Sequence, residues 1–180
     1  MNTIPQNLIE RIKPIELLLL DVDGTLSDGR LHYDAEWIEG KSFDVRDGFG
    51  IYLAHHYGIK TGLVTGRQSR IVTERARELN IELVYQGRFD KGLILDEIIN
   101  QTGLKPDQIG FVGDDLFDLP LLKRVGFAAA PADAHEEVRS RVHFVSQYAG
   151  GRGAVREVIE LILKGKGLWE EILQRFYPAS

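Results

Sequence analysis

Short runs of apolar residues alternate along this chain with segments in which apolar residues recur at spacings of three and four. The first pattern is typical of buried strands, and the second is typical of amphipathic helices. Because strands that alternate with helices pair in parallel through right-handed crossovers, the alternation predicts an α/β fold. We expect a three-layer sandwich in which helices cover both faces of a central parallel sheet. The predicted strands are residues 16–21, 59–65, 81–85, 109–113, 126–130 and 142–145.

The composition is that of an ordinary folded protein, with 43% hydrophobic and 27% charged residues. A length of 180 residues predicts one domain spanning 1–180, since domains commonly have about 100–150 residues. The absence of cysteine excludes disulfides, thiolate nucleophiles and thiolate metal sites. A net charge of −5 argues against a nucleic-acid partner. No apolar run near the start is long enough for a signal peptide or a membrane helix, so we expect a cytoplasmic protein without a membrane partner.

Two segments depart from the regular alternation. Residues 31–44 combine Tyr33, Trp37 and Ile38 with a polar centre, which predicts a β-hairpin, at about 30–45, that protrudes from the sheet. The tail, at about 153–180, is predicted to form two short helices broken at residues 164–167.

The strongest chemical signal is Asp21-Val22-Asp23-Gly24-Thr25, directly after a predicted buried strand. Ligands of open parallel sheets bind outside the carboxyl ends of the strands, which is where Asp21 and Asp23 are expected. A solvated turn is the alternative, since Asp and Gly are common turn residues.

Further polar residues follow other predicted strands or begin helices, and each also has an ordinary explanation. Thr65 could cap a helix, Lys91 could be a surface lysine, and acids after residue 112 could favour a helix start. Their joint position at one edge of one sheet is not explained in that way. These residues are Thr65, Gly66, Arg67, Lys91, Asp114, Asp115 and Asp118.

In its order of motifs this chain resembles the haloacid dehalogenase superfamily of phosphotransferases, over residues from about 17 to 130. The resemblance implies the Rossmann-like fold of that superfamily. It also implies a nucleophilic Asp21 that forms an aspartyl-phosphate, with Asp23 as general acid and base. An aspartate rather than a threonine at position 23 favours a phosphatase over an ATPase.

The same resemblance implies a magnesium ion held by the Asp21 carboxylate, the Asp23 backbone carbonyl and Asp114. Thr65 and Lys91 would bind the phosphoryl oxygens, while Asp115 and Asp118 would orient the residues around the metal.

The spacing of the motifs leaves no room for the cap domain that larger members carry. Asp23 and Thr65 are 42 residues apart, and Thr65 and Lys91 are 26 apart. A site without a cap is open to water, so either the substrate is large or a neighbouring subunit covers the site.

Additional segments resemble one capless branch, the 3-deoxy-D-manno-octulosonate 8-phosphate phosphatases of lipopolysaccharide precursor synthesis. The segments are residues 43–50, 65–67, 85–87 and 149–157, together with Arg75. The resemblance implies a homotetramer assembled through the hairpins. It also implies that the small-molecule sugar-acid phosphate is bound by Asp44, Arg46, Asp47, Gly48, Gly66, Arg67, Arg75 and Lys91. For Arg46 and Asp47 an ion pair within the chain, capping the following helix, is an equal alternative from the residues alone.

Two departures leave the exact substrate open. Asp44 stands where relatives often have asparagine or histidine, and Tyr52 stands where some have arginine. One alternative substrate is 2-keto-3-deoxynononate 9-phosphate or another sugar phosphate. A different class of function is a non-catalytic assembly module of a sugar-acid cytidylyltransferase. A signalling receiver domain would carry its acids, threonine and lysine in a different order.

Overall fold

The computed structural model describes residues 4–178, so the last two residues of the predicted tail lie outside it. In chain order the helices and strands are α1 (Gln6–Ile12), β1 (Leu17–Leu20), β2 (His32–Tyr33), β3 (Glu39–Gly40), α2 (Val45–His56), β4 (Lys60–Val64), α3 (Arg70–Glu78), β5 (Leu83–Tyr85), α4 (Lys91–Thr102), β6 (Ile109–Val112), α5 (Leu119–Leu122), β7 (Phe127–Ala130), α6 (Glu136–Arg139), β8 (Phe144–Val145), α7 (Ala154–Gly165) and α8 (Trp169–Phe176).

Six of these strands form one parallel sheet in the order β5-β4-β1-β6-β7-β8. All six predicted strands are confirmed, each shorter than predicted by one or two residues at one or both ends. Strand β1 lies in the interior of the sheet, between β4 and β6. The residues that follow β1 are therefore flanked by the loops that follow its two neighbours.

Strand β1 shows why the protein has three layers. Its four leucines are fully buried, and successive side chains point to opposite faces of the sheet. Leu18 and Leu20 pack in the core formed with α1, α2, α3, α7 and α8. Leu17 and Leu19 pack in the second core, formed with α4, α5 and α6. Burying one leucine side chain contributes about 1.5–3 kcal/mol to the stability of the folded state. A strand of this kind therefore requires helices on both faces of the sheet. The predicted sandwich is confirmed.

The predicted hairpin is present as the antiparallel pair of β2 and β3, with His32 opposite Gly40 and Tyr33 opposite Glu39. Asp34 organises the turn, because its side chain accepts hydrogen bonds from the backbone amides of Glu36 and Ile38. Trp37, whose side chain is 80% exposed, lies at the tip of the hairpin.

The C-terminal tail contains the two helices α7 and α8, and the break between them lies at residues 166–168, whereas the sequence predicts a break at 164–167. Helix α7 packs against α2. Among residues 4–178 no helix is both long enough and apolar enough to cross a membrane.

Asp47 links these two helices. Its side chain is 1% exposed, and its carboxylate accepts hydrogen bonds from the backbone amides of Gly153 (3.2 Å) and Arg156 (2.7 Å) at the start of α7. Burial raises the pKa of Asp47 to about 6, although the two hydrogen bonds favour the charged form. Asp47 therefore makes a contact within the chain, as in the alternative to substrate binding. The helix that it caps, α7, is remote in sequence and is not the helix that follows directly.

This burial predicts a pH-dependent contribution to stability. The folded state raises the pKa of Asp47 and favours its protonated form, so the contribution of Asp47 to stability grows as pH falls from about 7 to about 4. Asp47→Asn cannot gain this proton. The free energy of unfolding of the wild type relative to the variant is expected to rise by about 2–3 kcal/mol over this range. Urea unfolding at both pH values measures it, and a pH-independent difference would contradict the assignment.

Candidate active site

The carboxyl-end edge of the sheet brings together the polar residues that the sequence singles out. Asp21 directly follows β1, Thr65 follows β4, and Asp114 follows β6 by two residues. Lys91 is the first residue of α4, which follows β5. Because parallel strands end at the same edge of a sheet, residues separated by more than 90 positions in sequence meet there.

Lys91 lies at the centre of this group, and its side chain is 0% exposed. Its ammonium donates to Asp21 Oδ1 at 2.5 Å and to Asp118 Oδ1. The same nitrogen lies 4.6 Å from the centre of the Phe117 ring. Burial alone would lower the pKa of Lys91, but the charges of Asp21 and Asp118 outweigh burial and raise it. Lys91 is therefore a buried cation.

Asp118 uses both of its carboxylate oxygens within the chain. Oδ1 accepts from Lys91, and Oδ2 accepts from the backbone amides of Asp114 (2.9 Å) and Asp115 (3.1 Å). Asp115 in turn caps the short helical turn that follows, through the Leu116 amide at 2.7 Å. Both acids thus shape the loop that presents Asp114.

Three carboxylates crowd the same place. One oxygen each of Asp21, Asp114 and Asp118 lie within 4.8 Å of one another. Burial raises the pKa of Asp21 well above its usual value and that of Asp114 to about 7, and repulsion from Asp118 adds to both shifts. The local balance is three acids against one lysine, which favours a further cation.

The donor atoms fit a divalent metal ion. Asp21 Oδ2 is buried and has no hydrogen-bond partner among residues 4–178. The oxygens of Asp118 are already occupied, which leaves Asp21 and Asp114 as the carboxylates able to bind an ion. Oxygen donors of this kind are the preferred ligands of magnesium.

Two glycines allow Asp114 to reach this position. Gly24 has φ +100°, and a Cβ there would lie 2.1 Å from Asp114 Oδ2. Gly150, which precedes α7, packs against the same loop. A Cβ at Gly150 would lie 1.7 Å from the carbonyl oxygen of Gly24. The Gly151 amide also donates to the Thr25 carbonyl at 2.9 Å. The segment 149–157 therefore supports the loop that carries Asp21 and Asp23.

Asp23 has two cationic neighbours, and sequence reasoning missed one of them. The side chain of Lys41 is fully buried, and its ammonium contacts Asp23 Oδ1. Arg67 Nε lies 3.8 Å from Asp23 Oδ2. Lys41 lies just after the hairpin. Its contact with Asp23 cannot be seen in the sequence, because it depends on how the hairpin folds back toward the site.

Arg67 is held at the same place by the hairpin. Its guanidinium donates to Glu39 Oε1 at 3.0 Å and to Tyr33 Oη at 3.2 Å. Its backbone amide donates to Thr65 Oγ1 at 3.3 Å, which ties Arg67 to the buried threonine. Gly66 between them leaves space for Phe89, because a Cβ there would lie 2.5 Å from that ring.

The other residues expected at the substrate are engaged within the chain. Arg46 donates to Asp44 Oδ2 at 2.7 Å and to the Arg152 carbonyl at 3.0 Å. The hydrogen bonds from Arg46 lower the pKa of Asp44, so the carboxylate that departs from the family pattern is charged and paired. Arg75 donates to Glu78 at 2.8 Å, and its Nη2 would lie 2.6 Å from a Cβ at Gly48. Gly48 thus gives Arg75 its place beside α2.

Comparison with known proteins agrees with this geometry. A profile of the haloacid dehalogenase-like hydrolase family matches residues 76–159. The chain is 39% identical over 168 residues to the 3-deoxy-D-manno-octulosonate 8-phosphate phosphatase of Escherichia coli K12, covering 93% of this chain and 89% of that protein.

Two solved structures are similar over nearly their whole length. The Yersinia pestis 3-deoxy-D-manno-octulosonate 8-phosphate phosphatase gives a TM-score of 0.91 at 39% identity, covering 93% of this chain and 90% of the other. The second is the Moraxella catarrhalis phosphatase of the same description, in complex with a magnesium ion, a phosphate ion and a KDO molecule. It gives a TM-score of 0.93 at 36% identity, covering 96% of this chain and 99% of the other.

The close approach at Gly24 predicts a specific defect in cation binding. Gly24→Ala places a methyl group where Asp114 Oδ2 lies, so we expect magnesium affinity to fall by about 10–100-fold. Isothermal titration calorimetry with MgCl₂ measures the change.

Gly58→Ala is the matched control, because Gly58 also has positive φ (+79°) but has no atom within 4 Å of an added Cβ. Both variants are expected to lose about 1–3 kcal/mol of stability from backbone strain. Equal magnesium affinity in the two variants would contradict the role of Gly24.

Proposed function

The chain belongs to the haloacid dehalogenase-like hydrolases, in the branch of the 3-deoxy-D-manno-octulosonate 8-phosphate phosphatases, and from this premise we propose that it hydrolyses 3-deoxy-D-manno-octulosonate 8-phosphate to the free sugar acid and phosphate. The observation that carries the proposal is the buried Lys91 between Asp21 and Asp118, beside Asp21 Oδ2, which has no hydrogen-bond partner within residues 4–178. A module that only assembles other proteins has no need of such a costly cluster.

In the proposed mechanism, Asp21 is the nucleophile. Its carboxylate attacks phosphorus, the bond from phosphorus to the sugar oxygen breaks, and an aspartyl-phosphate forms. Asp23 gives its proton to the departing sugar oxygen. Asp23 then removes a proton from water, which attacks the aspartyl-phosphate, releases phosphate and regenerates Asp21.

The phosphoryl group requires positive charge around its oxygens. The Thr65 hydroxyl and the Lys91 ammonium bind these oxygens in the proposal, and Lys91 also keeps Asp21 oriented through Oδ1. A magnesium ion bound by the Asp21 carboxylate, the Asp23 backbone carbonyl and Asp114 would neutralise the charge that develops on the phosphoryl group. The charge imbalance of the three acids supports this ion.

The phosphate and the carboxylate of the sugar acid lie at opposite ends of the molecule and require separate cations. We assign Arg67 to the phosphate end, because its Nε lies 3.8 Å from Asp23 Oδ2 and its planar guanidinium suits phosphate as well as carboxylate. Gly66 brings Arg67 close to Thr65. Asp47 is left out of the proposed substrate contacts, because α7 occupies its carboxylate.

The proposal includes assembly and location. We propose a homotetramer in the cytoplasm, acting in lipopolysaccharide precursor synthesis. In this assembly the hairpins of different copies cover one another, because Trp37 and Ile38 are exposed together at the hairpin tip. A neighbouring subunit would also limit the access of water to a site without a cap.

Replacement of the nucleophile tests the reaction. Asp21→Asn removes the attacking carboxylate, so phosphate release from 3-deoxy-D-manno-octulosonate 8-phosphate in the presence of magnesium is expected to fall by at least about 10³-fold. Asp107→Asn, at an exposed aspartate near the opposite edge of the sheet, is the control and keeps wild-type turnover. Substantial activity of Asp21→Asn would contradict the mechanism. Faster turnover of the nine-carbon sugar-acid phosphate would contradict the substrate.

Charge at the hairpin tip tests the assembly. The double variant Trp37→Glu and Ile38→Glu is expected to reduce the mass in solution from tetramer to smaller species, because burying the new carboxylates would be costly. Val145→Glu, on the edge strand β8, is the control at an exposed apolar residue. Size-exclusion chromatography with light scattering measures both. An unchanged mass of the hairpin variant would contradict assembly through this surface.

A further inference from the structure

A small network of charges at the base of the hairpin reaches Asp23. The network, which we name the hairpin clasp, consists of Glu39, Lys41 and Arg67. Lys41 Nζ lies 3.4 Å from Glu39 Oε1, and Arg67 donates to the same oxygen at 3.0 Å. Ser69 donates to the other carboxylate oxygen of Glu39 at 2.5 Å.

Lys41 is the member of the clasp in direct contact with Asp23. Its side chain is fully buried, while the Asp23 side chain is 17% exposed at the edge of the site. A buried ammonium loses its hydration and is stable only beside carboxylates. Asp23 and Glu39 are the carboxylates that Lys41 contacts among residues 4–178.

Glu39 holds two cations that would otherwise repel each other. Burial alone would raise the pKa of Glu39, but hydrogen bonds from Ser69 and Arg67 outweigh burial and lower it. A charged Glu39 therefore fixes Lys41 and Arg67 on the two sides of Asp23, and the Asp23 carboxylate is held between them.

We propose that Lys41 is a positioning residue, which holds the Asp23 side chain toward the leaving oxygen of the substrate. This inference rests on the proposed function. As the bond between phosphorus and the sugar oxygen breaks, the proton of Asp23 passes to that oxygen, which requires the Asp23 side chain to point toward it. Glu39 keeps Lys41 in place, because its Oε1 lies 3.4 Å from Lys41 Nζ.

The leaving group provides the discriminating test. An alkyl alcohol leaves as a strong base and requires the proton of Asp23, whereas p-nitrophenolate is a weak base and does not. The test compares Lys41→Met with Lys41→Arg, using 3-deoxy-D-manno-octulosonate 8-phosphate and p-nitrophenyl phosphate as substrates. Lys123→Met is the control, at an exposed lysine directly after α5.

In Lys41→Met, kcat/KM for the sugar ester is expected to fall by about 10²-fold or more, with kcat/KM for p-nitrophenyl phosphate changing by less than about tenfold. The loss for the sugar ester is expected in kcat with KM nearly unchanged, and Lys41→Arg is expected to restore part of it. An equal loss for both esters would show a general structural role and overturn the proposal, as would wild-type turnover of both.

Crystal structures of the wild type and Lys41→Met provide a second measurement that is independent of activity. The Asp23 side chain is expected to rotate away from its wild-type position in the variant, and an unchanged rotamer would overturn the proposal. Failure of the proposed function is distinguishable, because then the wild type itself would release no phosphate from the sugar ester.

Discussion

The buried ammonium of Lys91, between the carboxylates of Asp21 and Asp118, is the contact on which the site depends. Each of these charges costs several kcal/mol to remove from water, and their mutual attraction offsets that cost only when all three are in place. They come from the end of β1, the start of α4 and the loop after β6. The parallel sheet, with β1 between β4 and β6, brings these segments to one point. Folding of the sheet therefore also assembles the charges.

This contact also determines what the neighbouring residues can do. Asp118 is fully used by Lys91 and by the amides of the Asp114 loop, so it shapes the site without being free to bind an ion. One oxygen of Asp21 has no hydrogen-bond partner in the described part of the chain, and Asp114 reaches this place only because residue 24 lacks a side chain. The excess of negative charge at this point is suited to magnesium and a phosphoryl group. The hairpin clasp supplies a second set of paired charges around Asp23.

The sequence was sufficient to predict the sheet, the hairpin, the two tail helices and the edge at which Asp21, Thr65, Lys91 and Asp114 meet, because strand periodicity and parallel connections determine these features. It was not sufficient for contacts that depend on how distant segments fold back. Lys41 lies outside the motifs that carry the family resemblance, and its contact with Asp23 depends on how the segment after the hairpin folds back. Asp47 lies in a segment that suggests substrate binding, but it caps a helix that begins more than 100 residues later. Charge type alone does not distinguish an acid facing a ligand from one facing a backbone amide.

The central claim is that Asp21, oriented by Lys91, carries the phosphoryl group during turnover. Reduction with sodium borohydride after rapid quenching of the enzyme with substrate and magnesium tests it most directly, because an aspartyl-phosphate is converted to homoserine. Peptide mass spectrometry is predicted to find homoserine at position 21 and at no other aspartate. Rapid release of phosphate without modification of position 21, or with modification at another aspartate, would contradict the account.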